Sequence, residues 1–174
     1  TLSVSSAASD VYKRQIHASV NGYGSTGPYV DRPSFDFIAQ AMSGFMSVNG
    51  SQDSEPMRAA PPMSDLIAGL YAAFGVVTAL QARHRTGRGQ IVESSLTNGL
   101  ISMMAYLSAE YFATGIIPSR TGNNHPIASP YGLFRASDGR VAVAPSNDVF
   151  VKRFLTVLDP VSYTHLRAHE TGPY

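Results

Sequence analysis

The fold turns on the reading of Pro61–Gln90, PPMSDLIAGLYAAFGVVTALQARHRTGRGQ. A proline pair stops the preceding segment. Ser64 is placed to cap a new helix, and Asp65 falls in its first turn. Arg83, His84 and Arg85 fill the last turn, Gly87 breaks it, and Gln90 opens a strand. Acid at the start, bases at the end and glycine beyond suit both the helix dipole and the unpaired groups at each terminus. The spacing predicts a helix over 64–86. Ala68, Gly69, Ala72, Ala73, Gly75 and Ala79 make it small-sided on more than one face, which suits close packing against neighbours or a sheet. An acid in a first turn usually only complements the dipole; Asp65 is either that or a chemical group.

Ile16–Val20 before this helix and Gln90–Ser95 after it read as strands, and residues 96–113 as a further helix. Strand, helix, strand, helix in that order predicts an α/β layer with parallel strands. His17, alone within the first strand, reads as a packed histidine rather than a catalyst. Residues 21–33, NGYGSTGPYVDRP, form a Gly- and Pro-rich loop. Its G-x-G is no dinucleotide motif, because Pro28 follows Gly27 and no helix opens there. Arg32 is its only base, either solvated or set against an anion. Ser34–Val48 reads as a helix capped by Ser34, with Phe37, Ile38, Ala41, Met42 and Phe45 on its buried face.

Residues 49–62 are a loop. Residues 114–130 lack any apolar period and read as an interdomain linker. Residues 131–145 predict a hairpin turning at Asp138-Gly139, and Ser146-Asn147-Asp148 caps a last helix reaching about Leu158. This β-β-α piece is the expected start of a small α+β domain.

With 174 residues, 44% of them hydrophobic and 14% charged, the chain can bury a core. Its net charge of +1 argues against a dedicated nucleic-acid or polybasic membrane surface. Cysteine is absent, which removes disulfides, thiolate metal sites and a cysteine nucleophile, and fits a reducing compartment; the expected location is the cytoplasm. No membrane span is expected, since Gly, Thr and Gln interrupt the best apolar run at 66–82. No signal peptide is expected in Thr1–Asp10.

The two ends read as non-native. GAT GTG TAT AAG AGA CAG encodes DVYKRQ, found at Asp10–Gln15. The reverse complement, in a shifted frame, encodes VSYTH and then a codon starting with C, and VSYTHL stands at Val161–Leu166. Opposite strands of one short DNA element, resembling a transposase end used in sequencing libraries, account for both. Residues 1–15 and 161–174 are therefore expected to be scars, and residues 16–160 a fragment open at both ends.

Catalytic motifs are scarce. The histidines show no metal spacing outside the suspected scar, and no metal is expected. A G-x-S-x-G elbow and a phosphate loop ending in GK[ST] are both missing. Asp65, Asp36, Glu93, Arg32 and His125 remain as polar candidates in an apolar chain.

Three runs narrow that choice: NGYGSTGPYVDRPSFDFIAQAMSGFMSVNG, PMSDLIAGLYAAFGVVTALQARHRTGRGQIVESSL and GNNHPIASPYGLF. In order and spacing they resemble the class III CoA-transferases, which include formyl-CoA and carnitine-CoA transferases and the related α-methylacyl-CoA racemases. The resemblance covers nearly all of Ile16–Asp159, and the block ending in RTGRGQ is its most specific part.

The resemblance implies a Rossmann-like large domain, a linker and a small domain, in an interlocked homodimer. Residues 16–113 would be the second half of the large domain, 114–130 the linker and 131–160 the start of the small domain. It implies transfer of CoA from an acyl-CoA to a carboxylic acid through a covalent aspartyl intermediate on Asp65, with the CoA thioester as substrate and no permanently bound cofactor. Arg32, Pro33, Ser34 and Phe35 match a segment lining the CoA site. Asp36 and Gly122, Asn123, Asn124 and His125 are implied at the acyl substrate. The family's racemases carry a histidine where this chain has Phe35, and a phenyl ring moves no proton, so transfer is favoured over racemisation. The glycine-rich substrate loop of formyl-CoA transferase is replaced by GNNHPIASP, which speaks against formyl or oxalyl specificity. A non-enzymatic binding fragment is the remaining alternative.

Overall fold

A computed structural model describes residues 11–158. Most of the two stretches read as scars, 1–10 and 161–174, lies outside the described residues. The chain divides between Arg120 and Thr121 into two compact units.

The first unit is built on the pair of strands β1 (His17–Asn21) and β2 (Ile91–Ser95). They run parallel, His17 opposite Ile91 and Asn21 opposite Ser95. The crossover between them carries α1 (Asp36–Met42), α2 (Phe45–Val48) and α3 (Met63–Thr86), as a parallel connection requires. Two helices follow β2: α4 (Leu96–Met103) and α5 (Tyr106–Thr114). The expected α/β layer with parallel strands is present.

Helix α3 packs on β1, β2, α1 and α4. Its small residues make this possible. Ala68, Ala72 and Ala79 are buried, and a Cβ on Gly75 would come within 2.5 Å of Val92 Cγ1. The core is Ala39 of α1, Ala68 of α3 and Leu96 of α4, with Leu100 fully enclosed beside them. Length and composition alone would let α3 cross a bilayer, with a mean hydropathy of 1.6, so the interrupting Gly, Thr and Gln do not dilute it as the sequence reading expects. Alanine, valine and leucine carry the mean. The face set against β2 and α4 makes α3 the central helix of this unit.

Two predicted helices are each broken in two. Residues 34–48 stop at Ser43 and restart after Gly44, whose φ of +83° is open to glycine at little cost. The predicted buried face is also reversed. Ala39 and Gln40 are buried, while Phe37, Ile38 and Met42 are about half exposed and Ala41 lies outside the core as well. Ser34 does not cap α1; Phe35 holds the cap position and no side-chain cap bond forms. Residues 96–113 break at Ala105, a non-glycine residue at φ +44°. The C-terminus of α3 closes as the sequence predicts: Gly87 at φ +70° donates its N–H to the Arg83 carbonyl at 2.8 Å. Gly89 in turn donates to the Lys13 carbonyl, and the Arg83 guanidinium to the Arg14 carbonyl.

The second unit contains the predicted hairpin, β3 (Gly132–Arg135) antiparallel to β4 (Arg140–Val143), turning where Ala136 N–H meets the Gly139 carbonyl. The last helix, α6 (Asp148–Leu158), is capped by Asn147, whose Oδ1 accepts from Phe150 N–H at 3.1 Å.

Candidate active site

The start of α3 is closed from a distance. Pro62, not Ser64, holds the cap position, and Ser64 lies inside the helix, fully buried. The acceptor that its first turn needs comes from α1. Asp36 Oδ1 accepts from both the N–H and the hydroxyl of Ser64, each at 2.9 Å. Asp36 Oδ2 accepts from Gln40 Nε2 at 2.7 Å. Gln40, also fully buried, accepts through Oε1 from the Ala59 N–H at 2.8 Å. One carboxylate and one amide thus fasten residues 59–64 to α1. Both Asp36 oxygens are occupied by protein, so its side chain is engaged before any substrate arrives. A carboxylate at a helix N-terminus is also favoured by the dipole, by about 0.3–1 kcal/mol.

Asp65 follows directly and is the opposite case. It is exposed on the first turn of α3, and among the described residues nothing donates to its carboxylate. The backbone donors around it are used. Met63 N–H bonds the Pro61 carbonyl, Ser64 N–H bonds Asp36, and Leu66 N–H bonds the Pro62 carbonyl. The Asp65 N–H has no acceptor among the described residues. The Asp65 carboxyl group and its own unbonded N–H sit together at the positive end of a 24-residue helix.

Arg32 to Phe35 form the run that enters α1. The Arg32 guanidinium lies 4.5 Å from the Tyr29 ring centroid and is exposed. Pro33 is exposed, Ser34 half-buried, and Phe35 is 80% exposed. Ser34 presses on Gly22, where any Cβ would overlap it. The loop is therefore pinched at its base, and Asp36 leaves it to meet Ser64. That contact places Asp36, at the end of the run, against Ser64, the residue before Asp65.

The same loop is anchored at two points the sequence reading missed. Glu93 on β2 accepts from the Ser25 N–H at 2.5 Å. The Ser25 hydroxyl, then the Ser25 N–H, hold the Glu93 carboxyl below its usual range. The Gly22 carbonyl accepts from both the N–H and the hydroxyl of Thr97, at 3.2 and 2.9 Å, and so ties the loop to the start of α4. The Asn21-Gly22 turn was visible in the sequence; its partners, more than 70 residues on, were not.

Gly122, Asn123, Asn124 and His125 belong to the second unit. Gly122 has φ +62°. The Thr121 hydroxyl donates to the Asn124 carbonyl at 2.7 Å. His125 Nδ1 accepts from the N–H groups of Ile127 and Ala128, and its ring lies 5.0 Å from that of Tyr131, centroid to centroid, tilted by 56°. Here the histidine organises its own loop.

The concavities of the first unit include two among the described residues. One, of about 330 Å³, is apolar and lies between the α1–α2 break and α4–α5, with Ser43, Gly44, Ile101, Met104 and Tyr111 on its walls. The other, of about 460 Å³, lies among α3, β2 and α4 and includes Glu93 and Ser94. Asp65 lines neither.

The chain belongs to CoA-transferase family III, whose model matches residues 5–172. It is 36% identical over 143 residues to the succinate–glutarate CoA-transferase of Agrobacterium fabrum, covering 82% of this chain and 36% of that protein. It is 37% identical over 146 residues to the acetyl-CoA:oxalate CoA-transferase of Acetobacter aceti, covering 83% and 38%. Among solved structures, a CaiB/BaiF family protein from Brucella suis superposes with a TM-score of 0.73 at 36% identity, over 84% of this chain and 39% of that one. The chain thus spans little more than a third of the length of these relatives.

Proposed function

We propose that the full-length protein carrying this segment transfers CoA from an acyl-CoA to a carboxylic acid, with Asp65 as the nucleophile. The observation that carries this reading is the contrast between the two acids at the start of α3. Asp36 is bonded through both oxygens, whereas Asp65 is exposed with no donor among the described residues. A nucleophile needs the free one.

The exchange then balances in four steps. The Asp65 carboxylate attacks the thioester carbonyl; a C–O bond forms, the C–S bond breaks, and CoA leaves as thiolate. The thiolate attacks the Asp65 carbonyl of the resulting anhydride, releasing the donor acid and leaving an aspartyl-CoA thioester. The acceptor carboxylate attacks that thioester and forms a second anhydride while the thiolate leaves again. The thiolate finally attacks the acceptor's carbonyl, producing the new acyl-CoA and restoring Asp65. Acyl activation is retained in covalent form throughout. The unbonded Asp65 N–H, at the positive end of α3, is placed to favour negative charge developing on an oxyanion.

Arg32 and the exposed Phe35, on the run that leads to Asp36, supply a cation and an aromatic face suited to the phosphates and the adenine of CoA. Phe35 also supports transfer over racemisation, because it offers no proton. The free edges of the two-stranded β1–β2 pair fit a larger Rossmann-like parallel sheet, since parallel sheets are rarely so small. An interlocked homodimer in the cytoplasm belongs to the same proposal.

The test is to incubate the full-length enzyme with acyl-CoA, trap with hydroxylamine and map the modified residue. A hydroxamate on Asp65 is expected, and Asp65→Ala should lower turnover on the order of 10⁴-fold or more. Modification elsewhere, or undiminished turnover in Asp65→Ala, sinks the reading.

A further inference from the structure

We infer that Asp36 is a positioning residue for the nucleophile. It acts through Ser64 and Gln40 rather than by touching substrate, and the inference rests on the reading of Asp65 above.

Three observations converge. First, every strong bond Asp36 makes is to the segment that presents Asp65 or to the residue that braces that segment. Oδ1 holds the N–H and hydroxyl of Ser64, the residue before Asp65, and Oδ2 holds Gln40. Second, the partners are buried: Ser64 and Gln40 are both fully enclosed, so losing a carboxylate oxygen costs their donors the desolvation that the bond offsets. Third, the start of α3 has no side-chain cap of its own. Without Asp36, the first turn loses the acceptor that sets where its N–H groups point, and the Asp65 side chain leaves from that turn. A carboxylate that must approach a thioester carbonyl within about 3–3.5 Å is sensitive to such a shift; about 1 Å of misplacement can lower a rate by roughly 100-fold.

The donor pattern permits a decisive exchange. Gln40 Oε1 is held by the Ala59 N–H, so Gln40 must present its amide nitrogen to Asp36. In Asp36→Asn the new side chain can keep its oxygen on Ser64, but then sets its NH2 against the Gln40 NH2, two donors facing each other. Adding Gln40→Glu restores the match. The Asn NH2 donates to one Glu oxygen, and the other Glu oxygen still accepts from Ala59. The double variant restores the bond between positions 36 and 40 and keeps the Ala59 N–H bond, loses only the long 3.5 Å bond from Gln40 Nε2 to the Ala59 carbonyl, and moves the negative charge from position 36 to position 40.

The experiment compares the full-length enzyme with Asp36→Asn, Gln40→Glu, the double variant and Ser64→Ala, measuring kcat and KM for both substrates, with thermal unfolding alongside. Asp36→Asn is expected to lower kcat about 100-fold, with KM within about threefold. Ser64→Ala, which keeps the backbone bond, should lower kcat about tenfold and stay folded even if Asp36→Asn does not. The double variant should recover to within about tenfold of the unaltered enzyme. Unchanged kcat in both Asp36→Asn and Ser64→Ala, or a double variant no faster than Asp36→Asn, overturns the positioning role; the second result would mean that the charge at position 36 itself is needed. Hydroxylamine labelling keeps the two readings apart. If the unaltered enzyme is labelled at a residue other than Asp65, the nucleophile and the positioning role fall together. If it is labelled at Asp65, either kinetic failure removes the positioning role alone.

Discussion

The two ends of α3 are held by different means. The cap at the C-terminal end is local: Gly87 takes a left-handed conformation and returns its N–H to Arg83, and the Thr86 hydroxyl donates to the Ala82 carbonyl, while the bonds from Arg83 and Gly89 to the Arg14 and Lys13 carbonyls lie outside that cap. The N-terminal end is remote: its acceptor is Asp36, 28 residues upstream on another helix. A local closure stabilises a helix and nothing more. A remote one makes the position of the helix start depend on the docking of α1, and Asp65 stands at that start.

The contrast breaks most visibly if the remote acceptor is removed outright. Asp36→Ala leaves the Ser64 N–H and hydroxyl without an acceptor, and leaves Gln40 Nε2 only its 3.5 Å bond to the Ala59 carbonyl. Both residues are fully buried, and the expected loss of stability is about 2–4 kcal/mol by chemical denaturation. A loss under about 0.5 kcal/mol would show that water or Gln40 replaces the carboxylate.

The local end should respond less. Gly87→Ala forces a Cβ into the left-handed region and should cost about 1–2 kcal/mol, with turnover unchanged. Gly69→Ala is its control within the same helix. A Cβ there meets open space, so the variant should gain about 0.5–1 kcal/mol from helix propensity. Equal effects at both glycines would contradict the cap assigned to Gly87.

The smallest effect belongs to the loop that leads into α1. The Glu93 carboxyl titrates below 4.5 in the folded chain because Ser25 donates to its ionised form. Its contribution is therefore complete above that pH and is lost as the pH falls through the lower folded value. The protection factor of the Ser25 amide, its exchange rate relative to the intrinsic rate at each pH, should fall as acidification protonates Glu93, and Glu93→Gln should flatten that dependence. Identical exchange profiles in the two proteins would remove Glu93 as the anchor.

What could be read from the sequence follows the same division. Local chemistry was legible: α3 and its Gly87 stop, the two parallel strands, the Asp138-Gly139 hairpin and the cap of α6 by Asn147. Remote chemistry was not. Ser64 looks like a cap, but the acid that serves the helix start is Asp36, and no spacing rule joins positions 36 and 64. The reversed face of α1 has a similar cause: Gln40 is buried because Asp36 and Ala59 satisfy its amide, a pairing that hydrophobic periodicity cannot express. The break at Gly44 had a signal, a glycine after serine. The break at Ala105 had none, because alanine favours helix and its positive φ follows from the turn between α4 and α5. For the site, sequence resemblance pointed to Asp65 and to the segment 32–36, but it grouped Asp36 with the substrate contacts, whereas both its oxygens face protein.

The long reach from Asp36 to Ser64 also bears on the order in which the chain assembles. The Gly87 end of α3 can close as soon as its own last turn forms, within the microsecond relaxation of an isolated helix. The other end has no acceptor until a loop of 28 residues has closed and α1 has docked. A helix that nucleates at its tail and is finished at its head by a distant carboxylate places Asp65 only after the tertiary contact exists. A collapsed intermediate with α3 already helical would therefore still hold its acid unplaced, and reactivity at Asp65 would report completed folding rather than secondary structure.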